Sequence, residues 1–242
     1  MCDTCGCGDH DLVPVEIHQS LLAANDRLAA HVREHFVEHG VLAINVMGSP
    51  GSGKTALLEA TARALGAERR VLAVSGDLAT DHDAQRLRAA GIESRAITTG
   101  TACHLDARMV HDALHELEWR RADLMFVENV GNLVCPAIYD LGQAANVVVL
   151  SVTEGEDKPL KYPVMFRKAD LVLVSKIDLL PHLPGVSLER LRDALARTMP
   201  VPRVIEVSAV TGQGLDEWTA WLEAERTRLP AVTAPPAPHS HP

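Results

Sequence analysis

Eight residues constrain this chain more than any other stretch. Gly48-Ser49-Pro50-Gly51-Ser52-Gly53-Lys54-Thr55 matches the pattern GxxxxGK[ST] at every fixed position. It follows an apolar run, VLAINVM (41–47), that reads as a buried strand, and it opens KTALLEATARAL (54–65), which reads as a helix. A glycine-rich turn between strand and helix lets backbone N–H groups close around a triphosphate, and the helix N-terminus adds partial positive charge. In such a turn Lys54 reaches the β- and γ-phosphates, and the Thr55 hydroxyl ligates Mg²⁺. All eight residues are therefore candidate nucleotide contacts, with Lys54 and Thr55 the first catalytic candidates.

The rest of the chain alternates in the same way. VLAVS (71–75), RAIT (95–98), DLMFVE (123–128), NVVVLSV (146–152), DLVLVS (170–175) and RVIEVSA (203–209) read as strands. Helical patterns cover about 14–39, stopped by Gly40, then 81–90, stopped by Gly91, then 106–120, 187–198 and 215–228. Near-continuous Val/Leu/Ile strands separated by helices predict an α/β fold of the P-loop NTPase kind, a mostly parallel sheet with helices on both faces. Hydrophobic residues make up 47% of the chain but aromatics only 3%, so the core must be Ala, Val, Leu and Ile. No linker divides it. The predicted organisation is a flexible cysteine-rich tail at 1–13, one P-loop nucleotide-binding domain with an N-terminal helix at 14–228, and a disordered Pro/Ala-rich tail at 229–242 carrying His239 and His241. A net charge of −9 argues against nucleic acid or an anionic membrane as partner. No run reaches the roughly 18 apolar residues of a membrane span, and the N-terminus lacks the layout of a signal peptide. The expected location is the cytoplasm, where thiols stay reduced. An odd count of five cysteines then points to metal binding rather than to a disulfide framework.

The base is read further along. The strand at 170–175 runs into Ser175-Lys176-Ile177-Asp178, where GTPases commonly carry Asn-Lys-x-Asp. A carboxylate accepts from guanine N1 and N2, and adenine has no such donor pair, so Lys176 and Asp178 select guanine and GTP. Ser175 in place of Asn is expected to loosen support around the pocket. Ser208-Ala209 stands where GTPases close a loop over guanine O6. Asp178 also fits a plain turn or helix-cap aspartate. On the phosphate side, Asp77 ends one strand, and Asp81 and Asp83 follow; a carboxylate there orients water or holds Mg²⁺, with helix capping the alternative for Asp81 and Asp83. Glu128 ends another strand with Gly131 three residues on, matching the Asp-x-x-Gly of most GTPases, whose carboxylate serves Mg²⁺ and whose Gly N–H senses the γ-phosphate. No Gln stands at the water-positioning place, so intrinsic turnover should be slow.

Two cysteine sites remain. Cys103-His104 precedes one helix, and Cys135-Pro136 lies four residues after Gly131. Two thiolates and an imidazole suit Zn²⁺ or Ni²⁺; such a site is three-coordinate and needs water or a second subunit. Ordinary buried thiols are the alternative. Cys2, Cys5 and Cys7, separated by small residues, can wrap one ion. Thiolates with an amine favour square-planar Ni²⁺, and removal of Met1 would free the Cys2 amine as fourth donor; tetrahedral Zn²⁺ and a metal-free tail are the competing readings. His31, His35 and His39, spaced by four, and His111 and His115 at the same spacing, read as solvated helix faces.

Taken together, GSPGSGKT, SGDLATDHDAQRL, TTGTACHLDARMV, ENVGNLVCP and VTEGEDKPLKYPVMF resemble the HypB family of hydrogenase nickel-incorporation GTPases over about residues 14–228. The tail CDTCGC resembles the CxxCGC tail of some members. The resemblance implies the SIMIBI-type class of P-loop GTPases, which form a homodimer on GTP binding and include the urease accessory GTPase. It implies a metal site of Cys103, His104 and Cys135 at the dimer interface, and a tighter nickel site at Cys2, Cys5 and Cys7. It further implies that Lys161 reaches the partner subunit's nucleotide. The implied function is nickel delivery to the hydrogenase large-subunit precursor, with a HypA-like zinc-binding accessory protein. With His10 alone before the first helix, nickel storage is not expected. Because Cys135 follows the γ-phosphate-sensing turn, GTP should order 128–136, favour the dimer, and bring the triad together from two subunits, with release on hydrolysis. Rival readings are a nickel GTPase for urease, whose Cys-Pro-His motif is replaced here by Cys135-Pro136-Ala137, a chaperone for another metallocofactor, a kinase on the same phosphate loop, and a zinc-dependent regulatory module.

Overall fold

The computed structural model describes residues 15–77, 81–100 and 102–230. The expectations for the 1–13 tail, with Cys2, Cys5 and Cys7, and for His239 and His241 lie outside the described residues.

Seven strands form one sheet: β1 (Leu42–Met47), β2 (Val71–Asp77), β3 (Glu93–Thr98), β4 (Leu124–Glu128), β5 (Ala145–Ser151), β6 (Leu171–Ser175) and β7 (Val204–Val207), in the order β3-β2-β4-β1-β5-β6-β7. Every pairing is parallel. A parallel sheet needs crossovers that cover both faces, which is why β1, β4 and β6 are buried at every position. The crossovers and flanks are α1 (Val15–Glu38), α2 (Lys54–Leu65), α3 (His82–Ala89), α4 (Ala107–Leu114), α5 (Lys158–Lys161), α6 (Pro163–Arg167), α7 (Leu188–Thr198) and α8 (Leu215–Thr227).

One face packs Leu58, Trp218 and Leu222 against Ile44, Phe126 and Val147. The other packs Val32, Phe36 and Val110 against Ala43, Leu72 and Met125, and further along Phe166 and Leu195 against Val148 and Val172. α1 ends as its sequence dictates. Gly40 sits at φ +66°, its N–H donates to Val37 O at 3.1 Å, and Val41 N donates to Phe36 O at 2.9 Å, the paired bonds of a glycine C-cap.

The sheet is wholly parallel with helices on both faces, as the fold class expected. One expectation is corrected. The helix expected at 106–120 stops at Leu114. His115, Glu116 and Leu117 tighten onto carbonyls three residues back, and a 3-10 turn at Trp119–Arg121 sets Trp119 edge-on to Phe36 at 5.4 Å; burying that indole wins over continuing the helix. Between β5 and β6 the two short helices α5 and α6 each begin at or beside a proline, Pro159 and Pro163, and are too short for an apolar period to reveal them.

The strand order places β1 between β4 and β5, so the C-terminal ends of β1, β2, β4 and β6 open on one crevice, the place where such sheets bind ligands.

Candidate functional site

The turn from β1 to α2 is held by positions where only glycine fits. Gly48 lies at φ +149°, and a Cβ there would collide with the Val149 carbonyl. Gly53, the N-cap of α2, is left-handed at φ +98°. The Lys54 ammonium folds onto the Gly48 and Ser49 carbonyls, each at 3.3 Å, and burial lowers its pKa from the usual lysine value. The buried Ser49 and Ser52 hydroxyls have no hydrogen-bond partner. Unpaired hydroxyls, an inward lysine and a helix N-terminus form a cradle for phosphate oxygens.

Thr55 Oγ1 lies 2.6 Å from Glu128 Oε1 and 2.9 Å from Asp83 Oδ1, and Ser75 Oγ donates to Glu128 Oε2 at 3.3 Å. Register explains the last contact, since Ser75 and Glu128 are β-partners. Glu128 is 2% exposed, and burial pushes its pKa up to about 7. Asp77 lines the same cavity of about 520 Å³. Converging hard oxygens are a donor set for Mg²⁺, and Asp83, which the sequence left between catalysis and capping, belongs to it; Asp81 stands at the N-cap of α3 without a side-chain cap bond.

On the base side, Lys176 is the sole non-glycine residue at positive φ among the described residues, at 61°. That conformation lays it over the loop, where its Nζ donates to Gly51 O at 2.6 Å. The Ser175 hydroxyl donates to Ser52 O at 2.6 Å, which ties the end of β6 to the phosphate loop. Ser208 Oγ donates to Asp178 Oδ1 at 2.6 Å and accepts from the Val210 and Thr211 N–H groups. Asp178 is thus aimed by the loop containing Ser208 and Ala209.

Gly131 joins this pocket to the thiols. A Cβ on it would lie 2.8 Å from Pro50 Cγ and 2.9 Å from Pro50 N, and Gly48 and Asn132 form a β-bridge. Three residues past Asn132, Cys135 starts a 3-10 turn. The ligand atoms of Cys103, His104 and Cys135 lie within 4.8 Å of one another. The triad therefore gathers inside one chain, and bringing its members together does not require the second subunit that the sequence suggested. His104 stacks on Tyr139 at 3.9 Å and 14°. Burial lowers the pKa of His104, favouring the neutral imidazole a metal needs. The adjacent Cys103 thiol, and then burial, raise that of Cys135.

The sequence profile of the family described as CobW/HypB/UreG, nucleotide-binding domain, matches residues 42–205. A hydrogenase maturation factor HypB from Azotobacter chroococcum is 51% identical over 212 residues, 88% of this chain and 69% of that protein. The crystal structure of HypB from Archaeoglobus fulgidus superposes with a TM-score of 0.78 at 41% identity, covering 85% of this chain and all (100%) of that one. The chain belongs to the HypB family. A HypB from Helicobacter pylori, solved in complex with nickel, has a TM-score of 0.80 at 38% identity and covers 87% of this chain and 99% of its own. The SIMIBI-type P-loop GTPase fold is thereby established.

Two groups of this HypB-family site went unread in the sequence. Tyr139, four residues past Cys135, carries no local signal of a stacking role. The buried amide chain is likewise silent. Asn129 Oδ1 accepts from Leu105 N at 3.2 Å, its amide donates to Asn45 at 3.1 Å, and Asn45 donates to Asn146 at 3.0 Å. Asn129 directly follows Glu128, and Leu105 directly follows His104, so this chain is a second tie between pocket and triad. Lys161 is not among the residues lining the cavity; it is exposed and paired with Asp157 at 2.6 Å.

Proposed function

We propose that this chain hydrolyses GTP slowly and uses the nucleotide to control its hold on Ni²⁺ destined for the active site of a [NiFe]-hydrogenase. The observation that carries the reading is the packing of Gly131 on Pro50, directly before the β-bridged Asn132 and four residues of chain before Cys135. A γ-phosphate that moves Gly131 moves a metal ligand with it.

Lys54 leaves the Gly48 and Ser49 carbonyls for the β- and γ-phosphates, and the Ser49 and Ser52 hydroxyls gain phosphate partners. Thr55, Glu128 and Asp83 would hold Mg²⁺, which would supply positive charge against the charge developing on the phosphates. Asp77 orients the attacking water. Without a glutamine for that task, turnover stays low. Asp178 and Lys176 hold guanine under the Ser208-Ala209 loop.

Ni²⁺ is the cargo of the Cys103–His104–Cys135 triad and, more tightly, of Cys2, Cys5 and Cys7; Zn²⁺ competes for both. Val134 and Ile138, flanking Cys135, are 47% and 45% exposed, which favours a homodimer closing over the triad on GTP binding. Lys161 then serves the partner subunit's nucleotide. A HypA-like zinc protein and the hydrogenase large-subunit precursor are the partners, met in the cytoplasm; among the described residues no helix is long and apolar enough to cross a membrane. The test is twofold. Purified chain should release phosphate from GTP and not from ATP, which excludes a kinase. Deleting the gene should abolish hydrogenase activity, and excess nickel should restore it. Phosphate release from ATP alone, or hydrogenase activity that nickel does not rescue, would overturn the reading.

A further inference from the structure

On α1 beyond Leu28, which lines a pocket with His104, the histidines read as a solvated face are gathered into a cluster. His31 Nε2 and His35 Nε2 are 3.1 Å apart, with ring centroids at 4.3 Å. His111 of α4 comes within 6.2 Å of His31, centroid to centroid. A divalent ion with bonds of about 2.1 Å to two imidazole nitrogens at a right angle holds those nitrogens about 3 Å apart. The pair is thus already at the separation that one ion requires. As a metal-free contact it needs one ring to donate a proton to the other, and an ion takes the place of that proton.

The groups behind the rings fit as well. His35 Nδ1 is 3.7 Å from Glu38 Oε2, and His111 Nδ1 is 3.4 Å from Asp112 Oδ1. A ligating histidine commonly turns its other nitrogen to a carboxylate, which fixes the tautomer and raises its basicity. The helices are held rigidly beneath, since Val32, Phe36, Val110 and Ala113 are buried in one cluster. His39 stands beside the pair rather than in it: its Nδ1 donates to the His35 carbonyl at 3.0 Å, and its ring packs on Trp119 at 5.1 Å.

We infer that His31 and His35, with His111 as third donor, form an imidazole-only site for a divalent late first-row cation, separate from the thiolate sites. The imidazole donor set suits Ni²⁺, Cu²⁺ and Zn²⁺ and discriminates against Mg²⁺ and Ca²⁺. It is weaker and more exchangeable than a thiolate cage.

The test uses the full chain with Cys2, Cys5, Cys7, Cys103 and Cys135 changed to Ala, titrated with Ni²⁺ near neutral pH, against the same chain carrying H31Q and H35Q. The expected result is one equivalent of Ni²⁺ bound by the first protein, weakened at least tenfold in the second, with a smaller loss for H111Q alone. Paramagnetic Ni²⁺ should broaden the imidazole NMR signals of His31, His35 and His111 before those of His239 and His241. Equal binding by the two proteins, or broadening confined to other histidines, overturns the inference. If the double variant fails to fold, the NMR arm on the chain with its histidines intact decides the matter.

Discussion

Changing Glu128 to Gln should stabilise the nucleotide-free protein while damaging its function. Burial raises the Glu128 carboxyl from 4.5 to about 7. At about 1.4 kcal/mol per pH unit, holding that group ionised in the fold costs about 3 kcal/mol. Because the folded value is raised, the folded state keeps a proton that the unfolded state releases between about 4.5 and 7. Stability from this group is fully present below the unfolded value and is lost as pH rises through the folded one. Gln keeps the shape: its oxygen accepts from Thr55, and its amide donates to Ser75. E128Q should therefore melt higher than the parent at pH 8 by about 6–12 °C as an upper figure, at 2–4 °C per kcal/mol for a domain of this size. The gain should vanish near pH 4.5. In return, the Mg²⁺-dependent stabilisation by a GTP analogue should shrink. Thermal melts by circular dichroism at several pH values provide the assay. Equal melting at pH 8, or a gain independent of pH, would refute the argument that an ionised carboxylate is held there at the expense of stability.

Other expectations follow from single contacts. D178N replaces an acceptor pair by an acceptor and a donor, so affinity for GTP should fall about a hundredfold or more while xanthosine triphosphate, with an oxygen at C2, gains; competition binding reads both. Y139A removes the ring stacked on His104, and the triad should lose about tenfold in Ni²⁺ affinity when measured without the three tail cysteines, while Y139F keeps it.

How far the sequence carried depends on whether a residue's task is local. The loop from Gly48 to Thr55 is read in full because strand, turn and helix are contiguous and each glycine answers a local backbone demand. Gly131 and Glu128 were legible from spacing. Cys103, His104 and Cys135 were recognised as a donor set, but their closure within one chain depends on how the Cys103 loop and the turn after Asn132 fold back beside each other, which spacing does not encode. Tyr139 and the Asn129–Asn45–Asn146 chain depend on side chains meeting across strands and loops, and a buried asparagine looks the same in sequence whether or not it bridges two sites. The helix at 106–120 was overextended because its polar and apolar residues continue past Leu114, while the burial of Trp119 under α1 is a tertiary effect. His31 and His35 were visible at helical spacing; their approach to His111 required the docking of α4 on α1.

The central claim is that the phosphate loop and the thiol–imidazole triad move as one piece. Its most direct test is the Ni²⁺ dissociation constant of the chain lacking Cys2, Cys5 and Cys7, measured once with GDP and once with a non-hydrolysable GTP analogue, both with Mg²⁺. The account predicts constants that differ by at least fivefold, with the same factor appearing in nucleotide affinity with and without Ni²⁺, as linkage requires. Identical constants with the two nucleotides would contradict it.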